Sequence, residues 1–121
     1  MVLGLNVYGQ EPAQLAQQQL EAYNNRDIEA FLEPYSDTVK IYSFPDQLQY
    51  TGKEKMRLRY GGMFERTPEL QCNLLNRMVQ GNTVIDQEEV TISSDRDKIY
   101  AIAIYKVWDG KIQEVYFISK D

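Results

Sequence analysis

Apolar residues recur at helical spacing through the first half of the chain and at strand-like spacing through the second. Ala13, Ala16, Leu20 and Tyr23 share one face of a helix that opens at Glu11-Pro12, where a proline suits the first turn. The glutamines at 17–19 read as the solvated face of that helix. Asn24-Asn25 breaks it, and Asp27 can cap a second, short helix through its side-chain oxygen. Ile28, Phe31, Leu32 and Tyr35 make the apolar stripe of this second helix, and Pro34 weakens its end. Residues 38–44, TVKIYSF, are β-branched and aromatic and predict a strand that ends at Pro45. Thr51-Gly52 begins a third helix with Met56, Tyr60, Met63 and Phe64 on one face. Its Lys53, Lys55, Arg57 and Arg59 read as a solvated basic face. Gly61-Gly62 costs that helix about 1 kcal/mol per glycine relative to alanine. Either the helix ends near Tyr60 or something packs closely against its backbone.

Four strand-like runs follow, at 69–80, 82–93, 98–108 and 111–119. Gly81-Asn82, the polar stretch from Ser93 to Lys98, and Asp109-Gly110 separate them, and all three are hairpin signals. The sheet is therefore expected to be an antiparallel meander. Helices first and an antiparallel sheet afterwards define the α+β class. With no linker and no repeat, residues 12–121 read as one domain behind a loosely ordered leader, residues 1–11. A truncated signal remnant is the alternative for that leader, but no basic residue precedes its apolar stretch.

A chain of 121 residues has room for a single core and one pocket. A formal charge of −5 argues against a phosphate-backbone binder, so no nucleic-acid partner is expected. No apolar run approaches the ~18 residues of a membrane span, so no membrane partner is expected either. The lone cysteine, Cys72, cannot form an internal disulfide, which is compatible with a reducing, cytoplasmic location. It has neither a histidine nor a nearby lysine to activate it and reads as a buried structural thiol.

Histidine is absent altogether, which changes the picture most. Ser-His-Asp and Cys-His catalysis are excluded, and the commonest transition-metal ligand is gone. Neither a metal nor a cofactor is expected. Any acid–base chemistry must use Asp, Glu, Tyr, Lys or Cys72. The stretch VIDQEEV at 84–90 sets three carboxylates in a strand. Side chains alternate there, so Asp86 and Glu88 share a face with Val84 and Val90, while Glu89 points the other way and is expected to be exposed. Asp86 and Glu88 lie ~7 Å apart along the strand, close enough to flank one substrate, one of them acting as acid through a raised pKa. Buried acids usually need partners, and Arg77 in the neighbouring strand is the leading candidate. An ion pair with Arg77, a solvated face and a pocket acid are the three readings of this face.

The order of elements and four local stretches carry a family resemblance: AYNNRDIEAFLEPYSDTVKIYSFP (22–45), YTGKEKMRLRYGGMF (50–64), LLNRMVQGNTVIDQEEVT (74–91) and AIYKVWDGKIQEVYFI (103–118). Together they resemble the nuclear-transport-factor-2-like superfamily, in its SnoaL-like branch. The resemblance implies a cystatin-like cone, in which N-terminal helices pack in a strongly curved antiparallel sheet and a pocket remains at the open end. Members of the superfamily include isomerases, cyclases, dehydratases, hydrolases and non-enzymatic proteins, so the fold does not fix the function. Ketosteroid isomerase, one of them, needs a carboxylate base, a tyrosine and a protonated aspartic acid. Those positions fall near Ser43, Gln19 and Ala103 here, so that activity does not carry over. Scytalone-dehydratase-like chemistry leans on histidine and is disfavoured too.

On the elements that line the cavity in this family lie Tyr23, Tyr42, Tyr60 and Tyr105, with Phe31, Phe44, Phe64 and Phe117. Core packing is the alternative for any one of them. As a group they imply an aromatic pocket for a small hydrophobic ligand, with Arg77 among its polar contacts. Asp86 and Glu88 are the candidate catalytic acids. The last two strands are apolar on both faces, and superfamily members often dimerise through the outer one. A homodimer is expected, with Ile102, Ile104, Trp108 and Tyr116 at its contact. An isomerase, cyclase or hydrolase-type enzyme and a non-catalytic binding module are the two function classes that remain.

Overall fold

Asp27 ends one helix-turn and starts the next: its carboxylate accepts from the Ala30 N–H at 3.1 Å and caps a helix of five residues. Around that corner the computed structural model describes residues 2–119, with side chains from Glu11 onward. Helix α1 (Val2–Asn24) is followed by α2 (Ile28–Leu32), β1 (Tyr35–Ser43), β2 (Gln47–Thr51) and α3 (Lys53–Arg66). The remainder is β3 (Gln71–Gln80), β4 (Thr83–Thr91), β5 (Ile99–Trp108) and β6 (Lys111–Ser119). The class is α+β, as expected. No helix among the described residues is long and apolar enough to cross a membrane.

The six strands form one sheet in the order β2-β1-β6-β5-β4-β3. β3 to β6 are the expected antiparallel meander, closed at Asp109-Gly110 by two residues with φ of 54° and 74°. That pair suits the right-handed twist of the flanking strands. β1 then joins β6 in parallel and β2 in antiparallel fashion. Register shifts at Ile41/Tyr42, Leu74/Asn76 and Lys106/Val107 place bulges in three strands, which bend the sheet. The helices fill its concave side: α1 crosses β3 to β6, and α3 lies against β1 and β2.

Three expectations need correction, and the alternative left open at Gly61-Gly62 is resolved. β2 occupies residues read as a loop after Pro45; its QLQYT shows little burial apart from Tyr50, so it carries no alternating apolar signal. α1 begins ahead of Pro12, which sits inside it and is buried. Met1 and the side chains of residues 2–10, most of the expected leader, lie outside the described residues. Tyr35 opens β1 instead of continuing the second helix, because Pro34 has no N–H with which to carry the helical hydrogen-bond ladder onward. The helix containing Gly61-Gly62 runs on to Arg66. A Cβ at Gly61 would sit 3.9 Å from Ile28 Cγ1, so α2 packs against that backbone at van der Waals distance.

The core is aromatic where the two short helices meet. Phe31 is 1% exposed, and its ring centroid lies 4.6 Å from Tyr60, 5.3 Å from Tyr35 and 5.6 Å from Phe64. Edge-to-face and tilted rings of this kind add to the burial energy. Phe31→Ala should destabilise the fold by about 3–5 kcal/mol. Chemical denaturation should show this as a lower midpoint with an unchanged slope.

Candidate functional site

The concave face of β4 and β5 and the inner sides of the three helices enclose a cavity of about 400 Å³. Apolar atoms dominate its wall, with Leu20, Ile41, Met63, Val90, Ile92 and Ala101 among the lining residues. Tyr23, Phe31, Tyr60 and Phe117 add aromatic rings. Exposed Gln49, Arg59 and Ile99 form the mouth, whereas Gln19, Tyr35, Glu88 and Tyr105 are buried and form the polar floor.

Asp86 and Glu88 share the inner face of β4 but have different partners. Asp86 is fully buried and lies directly across the ladder from Arg77. Arg77 Nε donates to Asp86 Oδ1 at 2.7 Å and Nη2 to Oδ2 at 3.0 Å, a bidentate pair. Arg77 Nη1 donates to Gln17 Oε1 at 3.0 Å, so the guanidinium is fixed from both sides. Glu88 makes no hydrogen bond or ion pair among the described residues, yet is only 8% exposed and faces the cavity. Burial, and then the negative charge of Asp86, push its pKa from 4.5 up to about 7; Arg77 opposes this only in part. Glu88 is therefore a carboxyl group poised to gain or lose a proton near neutral pH.

A second polar unit lies beside it. Gln19 Nε2 donates to the Ala16 carbonyl at 2.9 Å and to Tyr105 Oη at 3.0 Å, while Gln19 Oε1 accepts from Tyr35 Oη at 3.1 Å. The Ala16 carbonyl can only accept, and this fixes the orientation of the amide. Tyr105 Oη is thus an acceptor toward Gln19, and its own proton is left for the cavity. Burial raises the pKa of Tyr105 well above 10, so this hydroxyl stays protonated and serves as a donor.

The expected ligand-binding residues divide into two groups. Tyr23, Tyr60, Tyr105 and Phe117 line the cavity together with Glu88. Phe64 is buried in the core behind them, and Arg77 and Asp86 are taken up by each other. Phe44 is 53% exposed beyond the end of β1. Tyr42 points to the outer face, where its ring stacks on Tyr116 at 4.6 Å and 7°. Plain alternation accounts for this: Val39 and Ile41 are buried on the inner face of β1, and Lys40 and Tyr42 alternate with them to the outer one. Glu89 is not freely exposed: Asn73, Lys98 and Tyr100 all donate to it on the outer face. Cys72 is buried, and desolvation pushes its thiol up to about 12, so it is unreactive.

Sequence reasoning missed Gln19, Tyr35 and Arg59. The expectation that all of 17–19 is solvated fails at Gln19, which is 4% exposed. Gln19 follows Ala16 by three residues and precedes Tyr23 by four, a spacing that places it on the buried stripe. Of the four basic residues in the first half of α3, Lys53 pairs with Asp37 at 3.7 Å and Arg57 with Glu29, as a solvated basic face would. Arg59 alone of them turns to the cavity mouth.

A curved sheet wrapped on helices around an apolar cavity defines a cone-shaped α+β protein. Residues 16–115 match the SnoaL-like domain, and the chain belongs to that family. Solved structures of the same fold include an uncharacterised cystatin-fold protein from Novosphingobium aromaticivorans. It is 22% identical with a TM-score of 0.81, over 88% of this chain and 97% of that one. A SnoaL-like protein of unknown function from Burkholderia thailandensis is 15% identical with a TM-score of 0.76, over 92% and 95%. An LEH-like epoxide hydrolase from M. tuberculosis is 14% identical with a TM-score of 0.72, over 93% and 84%. No curated protein matches the chain.

Both acids have measurable signatures. Asp86→Ala strands a part-buried guanidinium and should cost about 3–5 kcal/mol in stability. Glu88 behaves oppositely, because its folded pKa of about 7 lies above the unfolded 4.5. Between those values the folded state holds a proton that the unfolded state has lost, so this group's contribution to stability falls as pH rises, then levels off. Glu88→Gln should therefore be more stable than the parent above pH 7, by on the order of 2–3 kcal/mol, with the gain shrinking toward pH 4.5. Thermal melts of both chains across that range check the slope.

Proposed function

We propose that this protein binds a small apolar molecule bearing a carbonyl group and catalyses proton transfer on it. One observation carries the reading: a buried carboxyl group with no partner among the described residues, near-neutral in pKa, faces an apolar cavity. Ionised Glu88 takes a proton from the carbon next to the carbonyl. The electron pair moves onto the carbonyl oxygen, and the hydroxyl of Tyr105 donates to that developing negative charge. Return of the proton from Glu88 to a different carbon completes an isomerisation; where the substrate carries a second carbonyl, the enolate carbon bonds to it, its C=O π pair moves onto oxygen, and the proton from Glu88 goes to that oxygen to complete a ring closure, with no other reactant consumed. Gln19 holds the Tyr105 oxygen in place. The apolar wall excludes water and strengthens both interactions. An epoxide hydrolase on the same fold is compatible with acid–base work in such a cone.

The outer sheet face extends this reading to a homodimer. Ile102, Ile104 and Tyr116 are only half-covered there, and Trp108 is 44% exposed. Lys106 and Glu114 lie opposite each other on the same face, so a two-fold axis can bring a cation of one copy toward an anion of the other. A second copy is thus the occupant that this face suits.

Proton transfer can be read without knowing the product. The parent chain in deuterated water should catalyse exchange of the carbon-bound hydrogens beside the carbonyl in a panel of small apolar ketones, followed by NMR. The rate should climb with pH toward a half-maximum near 7 as Glu88 ionises. Glu88→Gln should lower it by about a hundredfold or more, and Tyr105→Phe by about ten- to a hundredfold. Exchange that is indifferent to Glu88→Gln removes Glu88 as the base. Light scattering should give a dimeric mass for the parent chain and a monomeric one for Ile104→Glu; a monomeric parent at micromolar concentration contradicts the dimer.

A further inference from the structure

Arg59 stands at the mouth of the cavity with its guanidinium carbon 4.5 Å from the centroid of the Tyr50 ring. The ring is 8% exposed, so it offers a fixed platform, and a guanidinium resting on an aromatic face keeps its edge N–H groups free for a planar anion. No carboxylate lies within ion-pair distance of Arg59 among the described residues; Lys53 and Arg57 on the same helix each have one, and Lys55, which has none either, does not line the cavity. The protein carries a net charge of −5, and the polar floor of the cavity holds a carboxyl group. The cavity is therefore polarised along its length, with a donor and an acid at the closed end, apolar walls between, and one cation at the entrance. An anionic group would meet Glu88 and the nearby Asp86 at the floor, whereas at the mouth it meets a cation that is already positioned.

From this juxtaposition we infer that the ligand is an amphiphilic anion: an apolar carbonyl compound whose far end carries a carboxylate, held at the mouth by Arg59. The inference rests on the pocket reading above and adds the charge and orientation of the substrate. Arg59 acts as a specificity residue. It binds the end of the molecule remote from the reacting carbon, and so fixes which carbonyl reaches Tyr105 and Glu88. Bidentate recognition of a planar carboxylate is the work for which guanidinium is suited and lysine is not.

Two fluorescent probes separate the charge from the apolar body: 8-anilinonaphthalene-1-sulfonate and its uncharged counterpart N-phenyl-1-naphthylamine. Arg59→Met should weaken the sulfonate probe about tenfold, leave the neutral probe within twofold, and so preserve a fold check within the same experiment. Arg59→Lys should recover part of the loss. Ala101→Trp, which fills the cavity wall, should abolish both signals and so place both probes inside. An Arg59→Met chain that binds the sulfonate as well as the parent, or loses both probes equally, overturns the assignment while leaving the pocket reading intact. Sulfonate binding that survives Ala101→Trp also overturns it. Failure of either probe to bind the parent chain overturns the pocket reading and this one together.

Discussion

Arg77 reaches across the β3–β4 ladder with two nitrogens on Asp86 and the third on Gln17 of α1. Three elements meet at that guanidinium, and three of its five N–H groups are committed to Asp86 and Gln17. Asp86 can therefore sit fully buried beneath the sheet, where an unpaired acid would be costly. The consequence falls two residues away. Glu88 shares the same face and the same low-polarity surroundings, but its nearest cation is already committed, and its nearest charge has the same sign. The near-neutral carboxyl group at the cavity floor is thus a product of the neighbouring ion pair as much as of its own burial.

The cavity depends on a comparable division of labour among aromatic rings. Phe31, Tyr35, Tyr60 and Phe64 pack against one another tightly enough to hold α2 and α3 together, and the faces they leave over become wall. Small side chains opposite them on β5, Ala101 and Ala103, keep the sheet side from filling the space. Gln19 then joins two hydroxyls that would otherwise be buried without partners, and this directs one donor proton inward. A wall that is mostly apolar with a few fixed polar atoms is what binding a small, largely hydrophobic molecule requires.

Much of this was legible in the sequence, and the reasons are local. The four C-terminal strands announce themselves through alternation and through turn residues whose backbone conformation admits few substitutes, above all Asp109-Gly110. The two faces of VIDQEEV follow from the two-residue period of a strand, and the Arg77–Asp86 pair from their neighbouring strands. What stayed hidden belongs to the third dimension. β2 has almost no apolar face to reveal it, and Tyr42 is as aromatic as the rings that line the cavity although its strand turns it outward. Gln19 and Arg59 are polar residues whose roles come from where their helices dock, Gln19 beneath Tyr105 and Arg59 over Tyr50. Composition marks neither of them out.

The parallel contact between β1 and β6 has a further consequence, in the order of assembly. β1 is bonded to β2 on one side and to β6 on the other, and β6 is the last of the described strands. Without residues 111–119 the sheet falls into two pieces, β2–β1 and β3–β4–β5, joined only through the chain and the helices between them. During synthesis β1 and β2 must wait for their partner in the sheet until β6 leaves the ribosome. The cone closes last at the β1–β6 seam, across a loop of some seventy residues whose closure entropy must be met before any contact there is rewarded. Removal of β6 would take away the two halves' common strand, and with it the enclosed space between them.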